Sequence, residues 1–503
     1  SHEFRKDDAI YAYGTRDTPE TIDMTGTFLS VDGTRMRLDL TSNSATLSMP
    51  DGSRYLFTIS GGNAQANEFY DRHGNKMTFN TSTNTWTDTM GRQLADPFPL
   101  NWYSQQQAAG TVEAEFPGFG TDTYGVDFIW AYLKHPTTGV SVIDDPENTS
   151  QTLSFGSDYY CNNGGTIAHY YRSGEHLFEN PDSSIVWVCS DQTARFNPVV
   201  LSAINLENGQ SYQFKYNAYG EITKIIYPTG GYERFKYAQV AVVQSSGSSY
   251  DQANRGVVDR WVSTKGDGTD EVHWTYSTGL GVTYAPDGTR TERNIITEPD
   301  GSPQPYGFGN ALTGRPYEER SYNSSSQLMA RKLTDWATTG PLSGGYSGAT
   351  RDLRPTKEVS IIFEPGNSNA LASMTETVYD TTGSSDPAYF SSLNPKQTKT
   401  YNYVVVSAST ATTANIATAA GWFSSATPAV VTEMDYLYDP NYKARNINGL
   451  ATETRIKDAS GNVKAKSQIS YDEVGTYPLL TDVSSTRWEN PNTVHRGNVT
   501  STK

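Results

Sequence analysis

Residues 211–237 read SYQFKYNAYGEITKIIYPTGGYERFKY. Strand side chains alternate between faces, so Tyr212, Phe214 and Tyr216 share one side of an extended segment while Ser211, Gln213 and Lys215 take the other. Large amphipathic rings opposite small or polar side chains define a half-buried strand. Asn217-Ala218-Tyr219-Gly220 follows, and Gly220 is free to take the positive φ that closes a type I turn plus bulge. Glu221 to Tyr227 runs back, Pro228-Thr229-Gly230-Gly231 reverses the chain again, and Tyr232 to Tyr237 alternates once more. The stretch predicts three consecutive strands in a meander.

The same grammar recurs on both sides. VDGTRMRLDL at 31, PDGSRYLFTI at 50, YDRHGNKMTF at 70 and WTDTMGRQL at 86 each set an Asp ahead of a turn Gly and then an alternating run; Asp71 precedes Gly74 and Asp88 precedes Gly91. Gly33, Gly52, Gly74 and Gly91 are about 17 to 22 residues apart, the length of one hairpin with its turns. Downstream, ENGQSYQFKYNAYGEITKI at 207, YAPDGTRTERNI at 284, TETVYDTTGSSD at 375 and ATETRIKDASGNVKAKSQISYDE at 451 repeat the unit, the last with its turn at Asp458 and Gly461. RGNVTSTK at 496 reads as the first strand of a further unit, which predicts that the natural chain continues. Residues 98–200 lack the Asp-Gly period and read as an irregular β segment holding Trp102, Trp130, Trp187 and both cysteines. The organisation expected is a cloning scar at 1–4, hairpin repeats over 5–97, the irregular segment over 98–200 and a β-ribbon over 201–503. The low-complexity tract SASTATTANIATAA at 407 is the one place where a short surface helix is expected, near Ala411 to Ala420; Ser245 to Ser249 reads as a loop tip.

Composition agrees with this pattern. In 503 residues there are 33 Tyr, 43 Gly and 24 Pro, with 19% charged side chains, a turn-rich and tyrosine-rich β profile. A hairpin of this size is marginal alone in water, so the units are expected to associate sideways and bury their aromatic faces together. The fold class that follows is all-β: tandem hairpins in one long antiparallel ribbon that coils. The net charge of −16 repels phosphate backbones and anionic lipid, which argues against nucleic acid as partner. No apolar run approaches the ~20 residues of a membrane helix; patches such as Val240 to Val243 and Tyr403 to Val406 have strand length, so no membrane insertion is expected. Cys161 and Cys189 are the only cysteines. They are either unrelated buried thiols or a bridge between neighbouring strands, and a bridge favours an extracellular setting.

FKYNAYGEITKIIYPTGGYERFKY, FYDRHGNKMTF, TWTDTMGRQL and YKARNINGLATETRIKDASGNVKAKSQISYDE closely resemble the tyrosine-aspartate (YD) repeats of the Rhs family, and matching stretches spread from about residue 25 to the end. The resemblance implies a spiralling β-ribbon that forms part of a hollow shell. In bacterial Rhs and Tc-toxin proteins such shells enclose a polypeptide, usually a toxin; in the teneurin type the shell sits on a cell surface and takes part in adhesion. The family's core with its autoproteolytic aspartates is not found in this chain.

Signals for chemistry are thin. There is no Walker loop, no His-Glu-x-x-His and no Gly-x-Ser-x-Gly, and GFGNALTG at 307 carries Leu312 where a third dinucleotide-loop glycine belongs. His169, Glu175, His176 and Glu179 include zinc-ligand types, but their spacing fits no metal pattern. Asp144-Asp145-Pro146-Glu147 and Asp267 to Glu271 are acidic turns without the alternate oxygens of a calcium loop. Trp261 and Trp274 are able to stack on sugars, yet on alternating strands such rings are more often core. No catalytic, metal or cofactor residues are assigned. The expected role is a non-catalytic wall segment that encloses or displays a polypeptide cargo such as a toxin, outside the cell or at its surface, with that cargo or the rest of its own longer chain as partner. The alternative is an adhesion module binding a cell-surface protein or glycan.

Overall fold

The structure is a computed structural model. It describes residues 25–30, 33–60, 63–83, 85–95, 109–117, 123–133, 138, 140–144, 146, 199–217, 220–239, 255–277, 281–296, 312, 315–339, 351–381, 387–473, 475–477 and 495–503, together with the backbone of strands at 4–6, 157–163, 166–170 and 188–195.

The chain is nearly all antiparallel β. A nine-stranded sheet runs in sequence order through β1 (Phe4–Lys6), β2 (Gly26–Ser30), β3 (Arg37–Leu40), β4 (Ser44–Ser48), β5 (Arg54–Ser60), β6 (Asn63–Tyr70), β7 (Lys76–Asn80), β8 (Thr85–Thr87) and β9 (Gln93–Ala95). A nineteen-stranded ribbon starts with β10 (Gly110–Pro117) and β11 (Thr123–Tyr132). After a separate three-stranded sheet of β12 (Ser157–Asn163), β13 (Thr166–Tyr170) and β14 (Val188–Arg195), the ribbon resumes at β15 (Val199–Leu206). It continues through β16 (Ser211–Tyr216), β17 (Ile222–Ile226), β18 (Tyr232–Gln239), β19 (Arg255–Ser263), β20 (Val272–Tyr276), β21 (Val282–Tyr284), β22 (Arg290–Ile295) and β23 (Pro316–Tyr322). The last strands are β24 (Leu328–Thr339), β25 (Arg351–Phe363), β26 (Asn369–Tyr379), β27 (Pro395–Ser407), β28 (Val430–Tyr436), β29 (Ala451–Asp458), β30 (Val463–Tyr471) and β31 (Val499–Thr502). Each strand of the ribbon pairs with the next one along it, so the ribbon is one meander. It enters at β10, inside the stretch whose sequence shows no period.

One turn closes hairpin after hairpin. At Asp71, Asp88, Asn217, Tyr227, Asn323 and Asp458, the residue's N–H donates to the carbonyl four positions on and its own carbonyl accepts from the N–H three positions on. The third position takes positive φ: Gly74, Gly91, Gly220, Gly230, Ser326 and Gly461. This is the type I turn with an αL bulge residue. The Asp or Asn side chain tightens it, as when Asp458 Oδ1 accepts from the N–H groups of Ser460 and Asn462 at 3.0 and 2.9 Å.

Among the described residues, the largest apolar core lies on one face of β24–β27. Leu333, Val359, Ile361, Phe363, Ala370, Ala372 and Met374 point to that face, where α1 (Ala408–Thr413) and α2 (Ile416–Gly421) cover them with Ala411 and Ala419, joined by Ala414 and Phe423 just past the two helix ends. The tract expected to carry one surface helix therefore forms two, joined at Asn415, whose side chain caps α2 by accepting from Thr418 N–H at 2.8 Å. Small residues let these short helices lie close on the sheet, and buried Arg331 fastens α1 by donating to the Ala411 carbonyl at 2.7 Å while pairing with Glu318. A further helix, α3 (Pro440–Ala444), starts behind the cap Asp439. The opposite face of the same strands shows Ile362, Leu371 and Val405 to solvent in one cross-strand row.

Candidate functional site

Two features organise the chain: an aromatic ladder along the ribbon and a polar seam that holds the nine-stranded sheet to its far end. In the ladder, an aromatic at or near the end of one strand donates to a backbone carbonyl at or near the start of the strand before it. Tyr216 donates to Leu201 at 2.6 Å, Tyr237 to Ile222 at 2.9 Å, Trp336 Nε1 to Pro316 at 2.9 Å, Tyr379 to Pro355 at 2.9 Å, Tyr436 to Pro395 at 3.0 Å and Tyr471 to Ala451 at 2.7 Å. Each accepting residue is also the one that a preceding residue faces at a β-bulge. Trp130 faces Leu201, Tyr216 faces Ile222, Ile295 faces Pro316, Trp336 faces Pro355, Tyr379 faces Pro395 and Tyr436 faces Ala451.

The chemistry of a bulge accounts for this. An extra residue breaks the ladder of backbone bonds and leaves a carbonyl in need of a donor, which the next aromatic supplies. Proline at three of the acceptors has no N–H to leave unpaired. Burial raises the Tyr216 hydroxyl to about 12 and also raises Tyr237, Tyr379, Tyr436 and Tyr471, so these phenols stay protonated donors at neutral pH.

The seam is built from turns. Three tyrosine-ended hairpins, β26–β27, β28–β29 and β30–β31, carry enlarged turns: Asp380 N–H still donates to Asn394 O, Leu437 N–H to Leu450 O and Asp472 N–H to Asn498 O, but the intervening chain is longer. In the third, Asp472 gathers the returning strand by accepting from the N–H groups of Arg496, Gly497 and Asn498 at 2.7, 2.7 and 3.1 Å, while Tyr442 donates to its Oδ2 at 2.8 Å. The ordinary turns of the nine-stranded sheet dock here. Arg37 donates to the carbonyls of Lys443 and Ala444 at 2.9 and 2.8 Å, and Arg35 to that of Leu393 at 2.7 Å. Fully buried Asn446, in the left-handed region at φ 57°, donates to the carbonyls of both Arg35 and Ser48 at 3.0 and 2.9 Å. Arg445 links the carbonyls of Arg72 and His495 at 3.1 and 2.7 Å. Leu29 packs on Phe390 and Leu393, and a Cβ on Gly52 would come within 2.7 Å of Ile447. Nearby, Asp352 is buried at φ 52° and accepts from Arg351 and Ser392 at 2.8 and 2.5 Å. These groups bind backbone and one another; their chemistry is that of a joint.

The sequence-marked residues fall as follows. Tyr212, Phe214 and Tyr216 lie on β16, with Tyr212 edge-on to Tyr227 at 6.1 Å and Tyr216 in the ladder. Tyr232 and Tyr237 lie on β18; Tyr232 donates to Glu271 at 2.8 Å and Tyr237 is a ladder donor. Gly220, Asp71, Gly74, Asp88, Gly91, Asp458 and Gly461 are turn residues. Cys161 on β12 sits opposite Cys189 on β14 in the backbone register, and their side chains lie outside the described residues. Trp261 is buried between the Arg234 guanidinium, 3.8 Å from the ring, and the His273 imidazole stacked at 4.5 Å, so it has no free face for a sugar. Arg234 in turn binds Glu271 through both Nε and Nη2, at 2.6 and 2.7 Å. In the acidic turn, Asp270 accepts from Ser263, Thr264 and Lys265, and the Ser263 hydroxyl foremost holds its carboxyl far below the usual range. Glu175, His176 and Glu179, and the side chain of His169, are outside the described residues; among those described, no group of three metal-ligand side chains comes together. Of the seam residues, Asp472 belongs to a Tyr-Asp pair of the repeat pattern, whereas Arg35, Asp352 and Asn446 carry no mark in it. The signal for the turns of Asn446 and Asp472 is a Tyr-Leu or Tyr-Asp pair followed by an overlong gap before the next strand.

No protein-family model and no curated protein matches this chain. Among solved structures, crystal structures of TcdB2-TccC3-TEV and of TcdB2-TccC3 are similar to it, at 10% and 11% identity over 90% and 91% of this chain, each with a TM-score of 0.28. A structure of a Photorhabdus luminescens Tc holotoxin pore is 11% identical over 85% of the chain, with a TM-score of 0.17. The chain spans about a quarter of the length of the first two, 24% and 25%, and 19% of the third. The class that the strand order defines is a β-ribbon protein.

Proposed function

We propose that this chain is a non-catalytic wall segment of a YD-repeat shell that encloses or displays a polypeptide cargo such as a toxin. The observation that carries this reading is the single nineteen-stranded meander whose far turns hold the sheet from the chain's beginning. A wall works by geometry: continuous backbone pairing makes a barrier, and turn-to-turn docking holds distant parts of the chain together without spending either face. The test is protease protection of the cargo polypeptide purified with the longer shell protein. The wall reading expects the cargo to survive while the shell is intact and to be digested once it is opened; a cargo digested at the same rate in both cases contradicts it.

The same proposal places the protein outside the cell or at its surface. A register that sets Cys161 opposite Cys189 supports it, because directly opposed antiparallel residues lie about 4.5–5.5 Å apart at Cα, inside the range a disulfide spans. Intact mass should fall short of the reduced mass by two hydrogens; two alkylatable thiols in the native protein contradict the bridge.

A further inference from the structure

Strand β27 outruns one of its neighbours. β26 follows it from end to end, whereas β28 pairs with it only from Gln397 to Thr400. The rest of its outer side is open because the chain leaves through α1 and α2, which lie over β24–β27, and rejoins the edge only where Ala429 donates to the Thr400 carbonyl at 2.8 Å. Both neighbours of β27 are described, so this open stretch belongs to the interior of the meander and not to its end. Among the described residues, nothing pairs with Tyr403 to Ser407 from outside, and Tyr403 and Val405 are 58% and 67% exposed. Ala408 N–H donates to the Ser368 carbonyl at 2.9 Å; by antiparallel alternation Val404 and Val406 bond to β26, while the N–H and C=O of Val405 and the N–H of Ser407 turn outward. An open strand edge is ordinarily guarded by a charge or a proline. YNYVVVS at 401–407 has neither, in a chain where 19% of side chains are charged. On the exposed face, the apolar row of Ile362, Leu371 and Val405 runs up to this edge and stops there.

We propose that the open half of β27 pairs with the same edge of a second copy of this chain, antiparallel about a two-fold axis at Val405. Centred there, Val405 exchanges both of its outward backbone bonds with the partner's Val405, and Tyr403 stands against the partner's Ser407, large beside small. The apolar row then runs unbroken through Ile362, Leu371 and Val405 of both copies. A second copy suits this edge because the stretch holds no charge, so like faces like without repulsion, and a charged partner would find nothing to pair with. α1 begins at Ala408, which confines the pairing to Tyr403–Ser407 in each copy. A contact of this kind uses the same patch on both chains and therefore closes at two. Such a pair forms whether or not the ribbon encloses a cargo.

Sedimentation velocity of the full chain at concentrations up to about 100 µM should show a concentration-dependent species of twice the 55.3 kDa chain mass. Val405→Lys sets two ammonium groups against each other at the axis and should raise the dissociation constant about tenfold or more. The unfolding midpoint should stay where it is, because the Val405 side chain is exposed in the single chain. Val405→Cys should give a disulfide-linked dimer under mild oxidation, since bonded antiparallel partners lie about 5.5 Å apart at Cα. Ile362→Cys, exposed on the same face but two strands in from the edge, should not, each variant being read against the parent chain with its Cys161 and Cys189. A chain that is monomeric at every concentration overturns the proposal. So does a dimer indifferent to Val405→Lys, or one that links through Ile362→Cys as readily as through Val405→Cys.

Discussion

At the scale of single residues, the tyrosines have a specific task. Alternating Tyr212, Phe214 and Tyr216 already announce a half-buried strand, but only the strand-end member of the set repairs a bulge. Tyr436→Phe removes the donor to Pro395 and leaves that carbonyl short of a partner, so a loss of about 1 kcal/mol is expected in urea unfolding. Tyr403→Phe, on the exposed stretch of β27, should be neutral within about 0.5 kcal/mol. Equal losses at the two positions would show that ring packing, and not the hydroxyl, is what the ladder uses. The turn glycines and their Asp or Asn partners were legible in the sequence, since positive φ and an acceptor side chain leave few alternatives. The ladder was not, because it depends on which residue stands opposite a bulge, and bulges are set by pairing between strands.

At the scale of elements, β28–β30 are laced by one ion network on a common face. Arg455 binds Glu433, Asp435 and Glu453 at 3.2, 2.7 and 2.5 Å, Lys457 binds Glu433 at 2.7 Å and Lys466 binds Glu453 at 2.9 Å. Glu453 is held at about 2, by Lys466 first, and Glu433 and Asp435 are lowered by Lys457 and Arg455 first. Folded pKa values below the unfolded ones mean that this stabilisation is complete above the ordinary carboxylate range. It is lost as pH falls through that range toward about 2. Arg455→Gln should therefore lower the denaturation midpoint near neutral pH, and its gap from the parent should close on acidification through that window. A gap independent of pH would mean that the arginine acts through packing alone. Elements also mark where sequence reading fell short. The Ala- and Thr-rich tract has weak helix propensity in its threonines, yet two short helices form because the apolar face of β24–β27 needs covering.

At the scale of the whole molecule, contacts about 400 positions apart in sequence, such as Asn446 to Ser48 and Arg37 to Lys443, join the two ends of the described chain. Local pattern carries no trace of such partners, which is why the ribbon was readable from its repeats and the seam was not. Asn446→Ala unpairs two carbonyls at a buried site and places a Cβ-bearing residue without a capping amide at positive φ, a cost of roughly 2–4 kcal/mol. Hydrogen exchange should then quicken in β3–β6 while β24–β27 keep their protection; equal acceleration throughout would mean that sheet and ribbon unfold as one unit.

The most direct measurement is an electron cryomicroscopy map of the protein. The wall account predicts a curved β-ribbon around an interior space, with β2–β7 seated on Phe390, Leu393 and the turn at 437–450. A solid particle with no interior, or a nine-stranded sheet lying away from them, would contradict it.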